Sequence, residues 1–329
     1  MEFGFATIPS LSFHDNVRLI QAAESLGYHW AWVPDQTFYR DPYVMLTAAA
    51  AATRTLRLGV GITNPYTRHP GAAARAAASV DEASNGRFAF GIGAGNQKEL
   101  IEPLGLTAEA PARACRETIR LLRAFWSGER VELAGTDFSV HGAQLEFPAR
   151  PSIPIYIGGR GPQILHLGGQ EADGIILSLS GLTHALELVE AGARSAGREL
   201  SDLHKTAWGE CAILEAGANI EEYRQRVAHV LGRAPETGLK VMGLNEDEIG
   251  RIKAGFAQSG PAGAAPHVTD RMVQRQLVIG TAEECAARLN DFQAQGVQAY
   301  AYLIKEKTFA DKLRALESFA RQVMPRVAA

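Results

Sequence analysis

Short β-favouring runs alternate with helical periods along the whole chain, and that alternation constrains the fold more tightly than any other feature. Phe3 to Ile8 reads as a strand. Ser12, with Asp15 three residues on, resembles a capping box, and Val17, Ile20, Ala23 and Leu26 then form an apolar stripe that stops at Gly27. The unit repeats with strands over Trp30–Val33, Leu56–Ile62 and Phe88–Ile92 and helices over Pro42–Ala52, Pro70–Ala83 and Pro111–Trp126. It resumes with strands Ile153–Ile157, Gly174–Leu179, Thr206–Leu214 and Ala299–Ile304. Their helices are Pro162–Gln170, Thr183–Ala196, one starting near Ile220, Ala282–Gln295 and Phe309–Val323. Eight such strands make a closed (β/α)8 TIM barrel or an open doubly wound sheet, and both place active sites at the carboxyl ends of the strands.

The barrel fits better. A dinucleotide-binding sheet wants G-x-G-x-x-G after its first strand, whereas the near match Gly91-x-Gly93-x-Gly95-Asn96 follows the fourth strand and lacks the last glycine. No phosphate loop of the G-x-x-x-x-G-K-[ST] type is present. Two stretches interrupt the alternation. Val131, Leu133, Phe138 and Val140 flank Ala134-Gly-Thr-Asp137 and predict an inserted hairpin capping one end of the barrel. Between Ala234 and Asp270 the pattern is helical but broken, and the Gly, Ala and Pro of Gly255–Pro266 predict a mobile, lid-like insertion. The expected organisation is one α/β domain over residues 1–329 with insertions at about 129–152 and 234–270.

Composition removes several function classes. The chain has 329 residues, 46% of them hydrophobic, and so can bury a large core. A net charge of -3 gives no basic footprint for nucleic acid or an anionic membrane. Cys115, Cys211 and Cys285 lack C-x-x-C spacing, which fits reduced core thiols better than disulfides or zinc. His14, His29, His166 and His267 stand singly, so no metal is expected. The start of the chain lacks a basic n-region and the apolar stretch Val44–Ala52 is too short to span a membrane, so a cytoplasmic protein is expected.

The chemistry concentrates in Leu58–Pro70, where an apolar strand ends in a polar turn and Pro70 opens a helix. Gly59 and Gly61 within a strand mark a bulge or a close approach of the backbone to something flat, and Thr63 and Asn64 offer polar groups where the strand stops. Arg68 and His69 read as an ion pair or cap toward Asp81 and Glu82 rather than as catalysts. Trp30 and Trp32 share one strand face and read as packing. A second candidate is the glycine-rich turn Gly158-Gly159-Arg160-Gly161-Pro162, where a helix N-terminus suits a phosphate and Arg160 adds charge.

Five segments in order carry a resemblance: Thr63–Pro70, Asp81–Arg87, Gly91–Gly95, Ile155–Gly159 and Ala172–Gly174. Together they resemble the bacterial-luciferase-like superfamily, and within it the coenzyme F420-dependent reductases of the methylenetetrahydromethanopterin reductase type. The resemblance implies a TIM-barrel oxidoreductase that moves a hydride between F420 and a small organic substrate. The alternative it implies is an FMN-dependent monooxygenase fed by a partner flavin reductase. It also implies a non-prolyl cis peptide at or beside Gly61–Ile62 that backs the flavin ring, with Thr63, Asn64 and Asn96 near the ring or ribityl chain and Ile8 and Val33 as walls.

Relatives often carry Asp-His after the second strand and an acid after the fourth; here Asp35-Gln36 and Asn96 occupy those places. Asp35, Gln36 and Asn96 are therefore the candidate catalytic positions, but amides do not titrate, so proton handling falls to Asp35, to Glu99 or to the substrate. Loss of those acids leaves a non-catalytic flavin-binding protein as a further alternative. An aldolase would need an active lysine at a strand end, and neither Lys205 nor Lys305 is expected to serve. A homodimer is expected, with Ala72, Ala73, Ala76 and Ala77 of the third helix as a candidate face.

Overall fold

The computed structural model describes residues 1–328. The first half runs β1 (Glu2–Thr7), α1 (Phe13–Ser25), β2 (Trp30–Val33), α2 (Pro42–Ala52), β3 (Arg57–Thr63), α3 (Pro70–Ala83), β4 (Phe88–Ile92), a π-helical turn (Gln97–Ile101) and α4 (Pro111–Trp126). The hairpin β5 (Val131–Ala134) and β6 (Ser139–Ala143) follows, then β7 (Ile155–Gly158), α5 (Pro162–Glu171), β8 (Gly174–Ser178), α6 (Leu182–Ser195) and β9 (His204–Gly209). The remainder is β10 (Cys211–Ile213), α7 (Glu221–Arg233), α8 (Glu236–Val241), α9 (Glu246–Ala264), α10 (Asp270–Gln276), β11 (Val278–Gly280), α11 (Ala282–Ala294), β12 (Ala299–Ile304) and α12 (Phe309–Gln322). Parallel pairing closes the barrel in the order β1-β12-β9-β8-β7-β4-β3-β2. No helix among the described residues is long and apolar enough to cross a membrane.

Large and small residues alternate across the barrel interior. Trp30, Trp32, Tyr156, Ile176, Ala6, Ala89 and Ala301 form its fill, and the two indoles stack with centroids 5.0 Å apart. Each large ring needs a missing side chain on the next strand. A Cβ on Gly4 would come 2.8 Å from Trp30 Cβ, and one on Gly59 or Gly174 would overlap the Trp32 or Tyr156 ring. The flat object that Gly59 approaches is thus the protein's own indole.

The amino-terminal end of the barrel is stitched by charge. Glu2 Oε2 accepts from Trp30 Nε1 at 2.8 Å and lies 2.5 Å from Arg57 and 3.4 Å from His204. Arg57 also sits 4.3 Å over the Trp30 ring. Burial alone would raise the Glu2 carboxyl, but hydrogen bonds from His204, Arg57 and Trp30 outweigh it and hold the group well below the usual range.

Four expectations need correction. The strand expected over Thr206–Leu214 breaks at Glu210: β9 stays in the barrel, while β10 leaves it to pair with β11, a three-residue strand too short to show a period. The stretch read as a mobile loop, Gly255–Pro266, is mostly helix, in α9 with a kink at Ser259–Gly260. Its glycines serve packing, since a Cβ on Gly255 or Gly263 would overlap the other's backbone. The insertion has its own core of Val227, Leu231, Leu239, Ile252, Val268 and Val273. Third, Arg68 pairs with Asp41 and lies over the Tyr43 ring, and His69 caps α3 by accepting from Gly71 N at 3.1 Å. Asp81 is claimed instead by Arg150, at 2.6 and 2.9 Å. On α3, Ala73 and Ala77 are buried within the chain, which removes them from any docking face.

Candidate active site

The carboxyl ends of β1, β2, β3, β4, β7, β8, β9 and β12 open into one cleft of about 970 Å³. Asp35, Gln36, Gly61, Ile62, Thr63, Asn64, Asn96 and the whole turn Gly158–Pro162 line it, so these positions from the strand ends reach the same cavity, while Glu99 does not line it. Ile8 lines it too, whereas Val33 is buried in the barrel wall.

The end of β3 shapes the floor. Its pairing with β4 is regular from Leu58↔Phe88 to Val60↔Phe90, then jumps to Thr63↔Ile92, leaving Gly61 and Ile62 as a bulge whose peptide bond is cis. Cβ positions built on Gly91 and Gly158 fall 3.1 and 2.9 Å from Ile62 Cγ2, and one on Gly93 would overlap Ile62 Cδ1. Gly91 within β4, Gly93 just after it and Gly158 at the end of β7 thus seat the Ile62 side chain, and Cβ atoms on Gly91 and Gly93 would also overlap Val60 O and Gly158 O, which explains a near-fingerprint in the wrong place for a dinucleotide. A Cβ on Gly61 would meet Trp32 Cε3 at 2.9 Å and Trp208 Cζ3 at 3.2 Å, so Trp208 reaches across the barrel from β9 to the bulge.

Polar groups surround this floor. Thr63 Oγ1 donates to Asp35 Oδ2 at 2.7 Å. Burial raises the Asp35 carboxyl above its ordinary value, and the Thr63 hydrogen bond and the Arg68 charge offset only part of that. Asn64 Oδ1 accepts from the Tyr66 and Thr67 backbone at 2.9 and 3.0 Å, which leaves Nδ2 as the group available to a ligand. Asn96 caps the π-helical turn and donates from Nδ2 to Glu99 Oε2 at 2.8 Å. Glu99 is in turn paired with Arg233, so it is occupied.

The second pole is the start of α5. Gly161 is its N-cap and provides no side-chain acceptor for the first-turn N–H groups, which remain a ready anion site. Arg160 is exposed to the open cleft with protein on most sides, and this partial desolvation lowers its pKa from the usual value.

Sequence reasoning missed Ser178, Trp208, Gln163 and Thr237 as lining residues and set Lys305 aside. Ser178 lies at the end of β8 and Trp208 one residue before the end of β9, so the rule that barrel sites sit at strand carboxyl ends was the usable signal. Lys305 follows β12 and holds its Nζ 3.8 Å from Glu210 Oε1. Thr237 and Pro235 arrive from the insertion and carry no sequence signal.

A closed parallel barrel with one cleft at its carboxyl face, a half-buried acid and an uncapped glycine-rich helix start is the construction of a (β/α)8 barrel enzyme. More narrowly, the chain belongs to the luciferase-like monooxygenase family, whose model matches residues 1–299. It is 30% identical over 335 residues to the 5,10-methylenetetrahydromethanopterin reductase of Archaeoglobus fulgidus, covering 99% of this chain and 100% of that protein. Among solved structures, the coenzyme F420-dependent tetrahydromethanopterin reductase of Methanopyrus kandleri superposes with a TM-score of 0.86 at 25% identity, covering 99% of each chain. An F420-dependent secondary alcohol dehydrogenase shares the fold with a TM-score of 0.76 at 19% identity over 100% of both chains.

Proposed function

We propose that the chain is a coenzyme F420-dependent oxidoreductase that transfers a hydride to or from a small organic substrate. The observation that carries the reading is the β3 bulge, where Ile62, seated on Gly91, Gly93 and Gly158, forms a cleft floor beside the Asp35–Thr63 pair. The name of the coenzyme F420-dependent reductase from Methanopyrus kandleri supports the same cofactor.

The residues fit such a group. The bulge provides a surface for a flat ring, and the Gly158–Pro162 turn with Arg160 holds a phosphodiester through uncapped N–H groups and one positive charge. Thr63 and Asn64 Nδ2 orient polar edges. When bound, F420 supplies two-electron hydride transfer without oxygen activation. Asp35 holds or releases the accompanying proton at a substrate oxygen or nitrogen; its raised pKa places that exchange nearer neutrality than an ordinary carboxylate would. Gln36 and Asn96 orient by hydrogen bonding alone. The mostly apolar lining, including Leu100, Ile176, Trp208 and Leu303, excludes water from the reacting face.

Titration of the purified protein with F420 and with FMN, followed by fluorescence, tests the reading. Saturable F420 binding is expected; tight FMN binding without F420 binding would overturn it and point to the reduced-flavin monooxygenases of the same family. The protein is also proposed to be a homodimer, paired through the exposed Phe38 and Tyr39 before α2 and Val44 in its first turn rather than through the buried Ala73 and Ala77 of α3.

A further inference from the structure

The insertion and the barrel are separately packed bodies. α7 to α10 gather around their own apolar core, which shares no residue with the core between the barrel and its helices. The chain enters the insertion just after β10 and leaves it just before β11, so both crossings lie at one small two-stranded sheet. Gly217, between β10 and α7, has φ +77° and no heavy atom within reach of a Cβ.

From that root the insertion crosses the mouth of the cleft. It rests on the turn after β8, where Val241 lies against Gly181 and Ser180 Oγ donates to Arg275 O at 3.3 Å. Its α7–α8 corner then brings Pro235 and Thr237 to the cleft. The corner ends at the loop after β4, where Arg233 pairs with Glu99. In the barrel β7 stands between β8 and β4, so the corner spans the Gly158–Pro162 turn. Lys253 of α9 donates to Gly232 O at 2.8 Å and Ala234 O at 2.5 Å, so the corner is braced to the insertion and moves with it.

We propose that the α7–α8 corner is a gate over the anion-binding turn of the cleft, and that the Glu99–Arg233 ion pair is its latch. The two attachments differ in kind: the β8 side is packed, as a pivot requires, while the β4 side carries an ion pair whose side chains are 48% and 52% exposed. An exposed pair of this kind is weak and reversible, as a latch must be. Glu99 also accepts from Asn96, which lines the cleft, so the latch is joined by a hydrogen bond to a residue of the site itself. The gate therefore lies at the α7–α8 corner and not in the glycine-rich stretch of α9.

The inference rests on the proposed cofactor only for its probe. Stopped-flow F420 fluorescence on E99Q and R233Q should show release accelerated about two- to five-fold in each, the range of an exposed ion pair. The double variant should be no faster than either single one, and the reversed pair E99R/R233E should return toward the wild-type rate. Cysteines at both positions, joined by a reducible bis-maleimide spacer, should slow binding and release by about tenfold or more and recover on reduction, with E99C alone as the control. Additive effects in the double variant, or unchanged exchange of F420 in the cross-linked pair, would overturn the gate. If the wild type binds no F420, the cofactor reading fails by itself. The gate is then judged by hydrogen exchange, where E99Q should loosen residues 236–241 and 97–101 and leave the barrel strands unchanged; identical exchange in both proteins would dismiss it.

Discussion

Removing Arg150 should destabilise the protein far more than removing its partner Asp81, because the two ions are buried to different degrees. The Asp81 side chain is 5% exposed and that of Arg150 33%. The pair is bidentate at 2.6 and 2.9 Å, and Asp81 holds the guanidinium above its ordinary pKa. Arg150→Met leaves a buried carboxylate without its counter-charge, and removal of one partner from a buried pair costs about 3–5 kcal/mol. It also gives up the hydrogen bonds from Arg150 to Ser152 O and Gly86 O, at 3.1 and 3.2 Å. Asp81→Asn keeps the shape and leaves a guanidinium that water reaches and that still bonds those carbonyls, at a cost of about 1–2 kcal/mol. In the double variant no ion is left buried alone, so its loss falls below the sum of the two single losses. Urea unfolding followed by the fluorescence of the barrel tryptophans measures all three. Equal losses for the two single variants, or strict additivity in the double, would refute the assignment of the energy to a stranded carboxylate.

Other outcomes follow from the same geometry. Gly59→Ala puts a Cβ into the Trp32 ring and should destabilise by about 1–3 kcal/mol or prevent folding; Gly59→Ala combined with Trp32→Leu should recover stability in thermal melts. Glu2 has a depressed carboxyl pKa in the folded state, so its stabilising contribution is present above the unfolded value near 4.5 and is lost as pH falls toward the folded value. Melts of wild type and Glu2→Gln between about pH 3 and 7 should therefore differ most at the neutral end and converge at the acid end. Asp35→Asn should retain F420 binding while lowering turnover by about 10²- to 10⁴-fold and removing an ionisation from the kcat/KM pH profile. Preserved turnover would transfer the proton to the substrate's own chemistry.

The alternation of short apolar runs with capped amphipathic helices determined the barrel, because strand and helix periods are local properties that each segment carries by itself. The same locality made the site's position legible: Thr63, Asn64, Asn96 and Gly158–Pro162 stand where strands stop, and closing the barrel in strand order brings all strand ends to one face. Partnership was not local. That Asp81 belongs to Arg150, that Gly91, Gly93 and Gly158 seat Ile62, and that Gly59 makes room for Trp32 were decided by which strands lie side by side. The insertion shows the limit most plainly. Its Gly, Ala and Pro content is equally compatible with a loose loop and with helices packed backbone to backbone, and only the core formed by α7 to α10 selects the second. Local pattern placed the barrel strands and helices to within a few residues, and tertiary packing decided what each one touches and where the chain leaves the barrel at Glu210.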